Sequence, residues 1–446
     1  MNKNKPPPPI VSGAKPILGH ALEFQKDRSS LIRRGYEEFG SVFCIKLANQ
    51  RVAVLIDPDL HKQFYMETDK KLGIEKPYRF LRPLFGDVLF MAPHETYLEQ
   101  RPFVIQAFRR EKMVHYIKVM QQQVQLWLDD LGTAGEIEIV AELGHLTQCV
   151  AGYAFMGDDF QQQVGEEFWR LYEDLGKSID LILPPNWPLP KFIKRDRAKA
   201  RMLKILQPVI KERRAYPDKY DDFLQDFVNQ RYKDGRLIED DVLLGLMLGL
   251  MFAGHETTAG QAAWTIIQLL QNQDYLTLVQ DEIEQSVPNG EMIEPRGMAK
   301  LKHISWAVRE TERTRPSAEL NMRTVEESLD VGDYLVPKGW LVQTDAGLAH
   351  QLPSLWKNPQ KFDPLRFAPD RKEDKQHRFS LIGFGGGIHK CTGMNFANNE
   401  MIIITALLFQ QFDLELITQS PTIIRGVGAN KPSETWIRYK RKPDSQ

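Results

Sequence analysis

The chain has 446 residues, 42% hydrophobic and 26% charged, with a formal net charge of −1 and three cysteines, Cys44, Cys149 and Cys391. That length suits two or three ordinary domains or one large one, and the near-neutral balance gives no support to nucleic-acid binding. Three cysteines so far apart build neither a disulfide framework nor a multi-cysteine zinc site, and they suit a reducing compartment.

The chain opens on Met-Asn-Lys-Asn-Lys and then Pro6 to Pro9, with no apolar stretch behind them, so neither a signal peptide nor an anchor is expected. Phe43 to Leu47 and Arg51 to Ile56 predict a hairpin turning at Ala48-Asn49-Gln50. Helical spacing follows over Met113 to Leu131, stopped by Gly132, and over Leu143 to Met156. Glu166 to Leu183 and Lys194 to Arg214 predict a helix pair. The stiff, apolar loop Pro184 to Pro190 between them reads either as an ordinary connection or as a lid over a substrate channel.

Glu239 to Asn272 predicts a long helix whose centre, Leu243 to Phe252, is apolar all round and should run through a core. The uncharged apolar run Val242 to Gly254 is too short for a membrane span, so a soluble, cytoplasmic protein is expected. A helix-like stretch, Ile304 to Thr314, precedes short strands at Glu327 to Asp330 and Tyr334 to Val336, the latter stopped by Pro337-Lys338-Gly339. The pattern predicts a mainly α protein with a small β part, as a single domain over residues 1–446.

The most informative segment is Phe384-Gly-Gly-Gly-Ile-His-Lys-Cys-Thr-Gly393. It places Cys391 among glycines, beside two cations and just ahead of the helix-like stretch Met394 to Phe409. Backbone N–H groups and positive charge favour a thiolate, and glycines let a flat cofactor approach the main chain. A Gly-rich run could equally be a plain turn. A lone cysteine is more often a small buried hydrophobe. Dinucleotide and P-loop readings fail, because neither spacing of glycines, acid and Gly-Lys-Ser/Thr is present.

A second segment, Ala253-Gly254-His255-Glu256-Thr257-Thr258, interrupts the apolar core helix. Gly254 weakens it by about 1 kcal/mol relative to Ala. Thr257 and Thr258 can bond back to carbonyls and bend it. Glu256 in a buried helix is costly unless paired or wet. By itself the segment reads as a salt-bridged kink or as a functional opening. A third segment pairs Glu310 and Arg313 on one helix face, which alone is usually a solvated surface bridge.

The first segment closely resembles the haem-binding loop of cytochrome P450 enzymes, Phe-x-x-Gly-x-(Arg or His)-x-Cys-x-Gly, with Phe384, Gly387, His389, Cys391 and Gly393 at its fixed positions. The second resembles that family's oxygen-binding groove, and Phe362-Asp363-Pro364-Leu365-Arg366-Phe367 resembles its Phe-x-Pro-x-Arg-Phe segment. The resemblance implies a cytochrome P450 fold, with haem b between the core helix and the cysteine loop and Cys391 as the axial thiolate. Thiolate ligation favours O–O cleavage. It implies Thr257 as hydrogen-bond donor to oxygen or its water, and Glu256 in proton relay. It further implies Ala253, Phe384, Gly385 and Gly393 against the cofactor. Glu310, Arg313 and Arg366 would form a buried triad bracing the cysteine loop, with His350, Trp356 and Pro359 in the meander leading into it. Haem propionates need donors or cations. Arg323 and His389 occupy the positions for this, as do Tyr97 and Arg101, one helical turn apart.

Tyr78-Arg-Phe80-Leu-Arg-Pro83-Leu-Phe85-Gly86 resembles the substrate-facing loop of sterol 14-demethylases, and Pro9 to His20 resembles the opening of that branch. Tyr78, Phe80, Phe85, Leu250 and Phe252 are the candidate pocket residues. That branch generally has His before the groove threonine, where this chain has Glu256; His255 is one residue earlier, about 100° around the helix. The function implied is oxygen activation on a bulky apolar substrate, sterol- or terpenoid-like, in an enzyme of bacterial type. No flavin, NAD or iron–sulfur fingerprint is present, so electrons would come from a separate ferredoxin or flavodoxin with its reductase. A peroxide-using haem-thiolate enzyme, or a non-catalytic binder of apolar ligands on the same scaffold, are the alternatives.

Overall fold

The computed structural model describes residues 5–180, 183–220, 222–287, 292–426 and 428–443, with the Phe90 side chain left aside. The end of the expected helix Glu166 to Leu183, at Leu181 and Ile182, lies outside the described residues, as does the extreme N-terminus, residues 1–4. Two compact units form, one from residues 1–77 with 306–391 and the other from 78–305 with 392–446.

The first unit is built on a five-stranded sheet. Its order is Val42–Leu47, Gln50–Leu55, Leu341–Asp345, Leu320–Val325, Leu72–Gly73. All pairs are antiparallel except Gln50–Leu55 with Leu341–Asp345. The opening hairpin is tighter than the sequence predicts. Leu47 pairs with Gln50, which leaves a two-residue turn at Ala48-Asn49, with Ala48 at φ 52°. The proline-rich N-terminus extends this edge. The Cys44 N–H donates to the Pro9 carbonyl at 2.7 Å and Val11 returns a bond to the Cys44 carbonyl at 3.0 Å. Strand Leu329–Val331 starts later than the predicted Glu327 and pairs with Tyr334–Val336. The helix Pro58–Glu67, capped by Asp57 with Pro58 in its first turn, buries Phe64 and Tyr65.

The second unit is mainly helical and is threaded by one 32-residue helix, Asp240–Gln271, referred to below as the core helix. It is long and apolar enough to cross a membrane, with a window of mean hydropathy 1.3, but 61% of that window is buried within the protein. Burial, not shortness, is therefore what marks it as a core element. Helices Arg110–Asp130, Ile139–Met156, Glu166–Gly176 and Pro190–Ala215 surround it. Glu166–Gly176 is shorter than the predicted helix. Pro190–Ala215 starts four residues earlier than predicted, because Pro190 fits the first turn, where no N–H is needed. Helix Met394–Gln411 packs Phe396 into an aromatic cluster with Phe108, Tyr116 and Phe155. A three-stranded sheet, Ala134–Glu138, Trp436–Arg441 and Phe412–Leu416, and a short hairpin, Ile423–Arg425 with Asn430–Pro432, complete it.

Candidate active site

In the first unit, the cysteine loop is held by backbone geometry that glycine adopts most readily. Gly385 and Gly387 adopt φ of 69° and 65°, in the left-handed region that side chains avoid. A Cβ at Gly387 would lie 2.7 Å from the Tyr65 carbonyl oxygen, and one at Gly386 would lie 2.8 Å from the Tyr65 ring and 2.9 Å from that of Phe379. Those two rings stack at 5.8 Å. So Gly386 and Gly387 let the loop sit on Tyr65 and Phe379. A Cβ at Gly385 would meet nothing nearer than the His389 carbonyl at 3.9 Å, which leaves that stretch of main chain open to a flat group. The Cys391 N–H donates to the Phe384 carbonyl at 3.0 Å, which closes the loop, and the cysteine is exposed.

Two nitrogen-bearing side chains, His389 and Arg323, accompany the loop. His389 donates from Nε2 to the Asp69 carboxylate at 2.5 Å, a partner the sequence reading missed. Arg323 on strand Leu320–Val325 is 2% exposed. Its guanidinium bonds the Met322 carbonyl at 2.8 Å and stacks 5.0 Å from the Phe64 ring, while its Nε has no partner among the described residues. A buried guanidinium with an unmet donor calls for an anion. This orphaned donor, the exposed cysteine and the open main chain at Gly385 fit a haem, whose propionate would take the guanidinium and whose iron would take the thiolate.

Beneath the loop, Glu310, Arg313 and Arg366 meet with no exposure. Arg313 donates to both Glu310 oxygens at 2.8 Å, and Arg366 Nε reaches the same carboxylate at 3.0 Å. Glu373, unforeseen from sequence, accepts from Arg366 at 2.6 Å, and the Trp356 ring lies between the two guanidiniums at 5.4 and 5.9 Å. Arg313 also donates to the His350 carbonyl at 2.8 Å, and His350 Nε2 accepts the Ile382 N–H at 2.9 Å. The triad thus reaches the start of the cysteine loop through His350. Burial, with Arg313 close by, pushes His350 down to about 3, so it stays a neutral acceptor. Pro359 makes none of the hydrogen bonds or ion pairs described in this network.

Glu312, on the same helix Lys302–Thr314, is the residue sequence reasoning passed over. Its carboxyl accepts the N–H groups of Gly383 and Phe384. Desolvation pushes it up to about 7, against the pull of Arg309, those two N–H groups and Lys390. The doubled acid in Glu310-Thr-Glu312-Arg313 was the available signal.

In the second unit, the core helix is buried over Leu243–Met251 and again from Thr258, but opens between them. Ala253 and Glu256 are exposed and a Cβ at Gly254 would touch nothing within 4 Å. The helix is not interrupted here. The hydroxyls of Thr257 and Thr258 bond back to the Ala253 and Gly254 carbonyls, each at 2.7 Å, while the helical ladder continues. Glu256 is thus exposed, not buried in the core. Its Oε2 would lie 2.8 Å from a Cβ at Gly428, in the hairpin beside Phe252. His255 points elsewhere, donating Nδ1–H to the Met251 carbonyl at 2.8 Å and lying edge-on to Tyr172 at 5.7 Å.

Phe85 packs on Phe252 at 5.3 Å, and its carbonyl lies 2.1 Å from where a Gly245 Cβ would be, so the aromatic segment is seated directly on the core helix. Leu250 is buried, whereas Tyr78 and Phe80 are half-buried. Tyr97 and Arg101 lie one turn apart on helix His94–Ala107, the first buried and the second half-buried. In the Pro184 to Pro190 loop, Arg195 holds the Pro185 carbonyl at 2.9 Å and Trp187 is exposed.

The family model that matches this chain is that of cytochrome P450, over residues 6–435. A wheat obtusifoliol 14-alpha demethylase is 30% identical over 98% of this chain and 98% of its own length. A sterol 14alpha-demethylase of Mycolicibacterium vanbaalenii is 30% identical over 97% and 98%. The human lanosterol 14-alpha demethylase is 29% identical over 98% and 87%. Among solved structures, a retinoic acid-bound cyanobacterial CYP120A1 is similar, with a TM-score of 0.86 at 26% identity over 98% of this chain and 100% of that one. The chain belongs to the cytochrome P450 family, as a monooxygenase whose cofactor is haem b held by a cysteine thiolate.

Proposed function

We propose that this enzyme hydroxylates or oxidatively cleaves a bulky, apolar, sterol- or terpenoid-like molecule, with electrons from a separate ferredoxin or flavodoxin and its reductase. The carrying observation is the opening of the core helix at residues 252–257, where an exposed carboxylate, the Thr257 hydroxyl and the Phe85–Phe252 pair come together. Apolar substrate sites combine aromatic lining with few polar groups. Similarity to sterol 14-demethylases along nearly the whole chain supports a polycyclic substrate, and the retinoic acid-bound relative supports an isoprenoid one.

The roles proposed for individual residues follow from their placement. Bound haem supplies oxygen activation once it is reduced. Cys391 holds the iron, and Arg323 with His389 meets propionates, with Tyr97 and Arg101 assigned the same task. Exposed Glu256 takes protons in and Thr257 presents a hydroxyl at the opening. Because Thr257 already donates to the Ala253 carbonyl, its oxygen is left to accept, and it must rotate to donate. Phe85 and Phe252 exclude water beside it. Residues 1–446 acting as one cytochrome P450 domain, in the cytoplasm, belong to the same proposal.

The test is spectral titration of the haem-loaded protein with 14-methyl sterols and with retinoic acid, followed by turnover with a ferredoxin system. A spin-state shift and an oxygenated product are expected from one of the two classes. Saturable shifts without product under reducing turnover would favour the binder, and product with peroxide alone would favour the peroxide-using alternative.

A further inference from the structure

We propose that Glu312 is a positioning residue for the axial thiolate and that its charge sets the reduction potential of the haem; this rests on Cys391 being the iron ligand. The geometry is one of mutual fit. A Cβ at Gly383 would lie 2.6 Å from Glu312 Cγ, 2.7 Å from Oε1 and 3.0 Å from Cδ, so glycine is required there for the carboxyl to reach the loop. The carboxyl accepts the Gly383 and Phe384 N–H groups. The carbonyl of that same Phe384 accepts the Cys391 N–H at 3.0 Å. One residue therefore links the acid to the ligand's backbone, through an N–H on one side and a carbonyl on the other.

This acid does not belong to the triad. Glu310 and Arg313 bond each other, Arg366, Asp363 and the meander, whereas Glu312 bonds the loop itself. The charged groups that face it are Arg309 on its own helix and Lys390 on the loop. Arg309 is already engaged by Asp374 at 2.7 Å, so it is shared between two carboxylates. Reduction of the haem adds one negative charge close to a thiolate. A further carboxylate beside the loop opposes that charge, because like charges in a desolvated setting interact strongly. Net charge and hydrogen bonding near the ligand are the levers by which a protein tunes such a couple.

The experiment compares haem-loaded wild type with Glu312→Gln, which keeps the shape and an acceptor but removes the charge. Two readouts are taken, the midpoint potential by redox titration and the absorption of the reduced carbon monoxide adduct. The expected result is a more positive potential, by about a tenfold shift in the reduction equilibrium, or about 59 mV for a one-electron couple. The carbon monoxide band should remain at its red-shifted thiolate position. An unchanged potential with that band intact overturns the proposal and leaves Cys391 ligation standing. A carbon monoxide band at the histidine-haem position in wild type overturns the ligation itself. If the Gln variant fails to take up haem, the wild-type potential between pH 6 and 8 decides. A potential that falls as pH rises is expected, and a flat profile overturns the charge role.

Discussion

The cysteine loop lies so close to Tyr65 that Gly387 has no room for a side chain, a Cβ there falling 2.7 Å from the Tyr65 carbonyl oxygen, and the same glycine holds φ at 65°. Gly387→Ala therefore meets two penalties, a left-handed backbone costing about 1–3 kcal/mol and a backbone clash. The expected outcome is poor haem retention at unchanged helical content, read by haem absorbance per protein and circular dichroism. Gly385→Ala has the left-handed penalty without the clash, and should be milder.

Arg313→Leu leaves the buried Glu310 carboxylate with Arg366 as its one bonded cation, beside the Asp363 N–H. Breaking a buried charge pair costs about 3–5 kcal/mol. Denaturant unfolding should show a loss of unfolding free energy of that size, seen as a lower midpoint at unchanged slope. Glu310→Gln should cost less if hydrogen bonding dominates, since the amide oxygen at the Oε1 position still accepts from both guanidiniums and only the Arg313 Nε bond to Oε2 is lost; an equal loss would mean charge matters more than hydrogen bonding here.

Thr257→Ala removes a hydroxyl that bonds back along its own helix, to the Ala253 carbonyl. Such back-bonding slightly destabilises a helix, so stability should hold within about 0.5 kcal/mol. Coupling should suffer instead. With a reductase system, product should fall and hydrogen peroxide rise. Unchanged coupling would remove Thr257 from the proposed machinery.

Stability against pH carries two signatures of opposite sign. His61 and His350 are pushed down by burial, to about 4 and about 3. The unfolded chain then binds more protons than the folded one below about 6.5, so these two stabilise less as pH falls, by about 1.4 kcal/mol per pH unit each at most. Glu312 is raised to about 7, so the folded state binds the extra proton between about 4.5 and 7, and its contribution is lost as pH rises through that window. The two histidines together outweigh Glu312, so unfolding free energy should fall as pH drops below about 6.5 and most steeply below about 4.5, and Glu312→Gln should steepen the rise between about 4.5 and 6.5. A variant curve parallel to wild type would show that Glu312 does not titrate there.

Arg323→Met tests the fit of the buried guanidinium to an anion. Removing a charge with an unmet donor should cost the haem-free protein little, whereas haem should dissociate faster, seen as transfer to apomyoglobin. Equal dissociation rates would take Arg323 out of the cofactor site.

What the sequence reveals depends on how local the physics is. Helices with clear apolar spacing, such as Ile139–Met156 and the core helix, were legible to within a few residues, because 3.6-residue periodicity reports burial directly. The glycine run was legible as a special loop but not in its causes, since the Tyr65 and Phe379 rings that demand Gly386 come from elsewhere in the chain. Glu256 looked expensive because the core helix is apolar on both sides, and only the fold shows that it is exposed. Glu312 was hidden by its neighbours, whose family pattern accounts for Glu310 and Arg313 and says nothing of the acid between them. Membrane crossing illustrates the reverse error. The apolar run was judged too short, yet the helix containing it is long enough and is excluded from lipid by what packs around it.

The bond from His389 to Asp69 spans 320 residues of sequence. On a ribosome adding about 5–20 residues per second, Asp69 waits at least about 16 s for its partner to be made. Helix Pro58–Glu67 and its Tyr65 face the same wait, and Arg323 follows them long before the cysteine is synthesised. With Cys391 as the proposed ligand, haem capture is consequently a late event in biosynthesis. Chains arrested before Lys390 would carry the sheet and the orphaned guanidinium but no ligand for iron, which makes cofactor supply and the quality of the last 60 or so residues, roughly, a joint checkpoint on newly made enzyme.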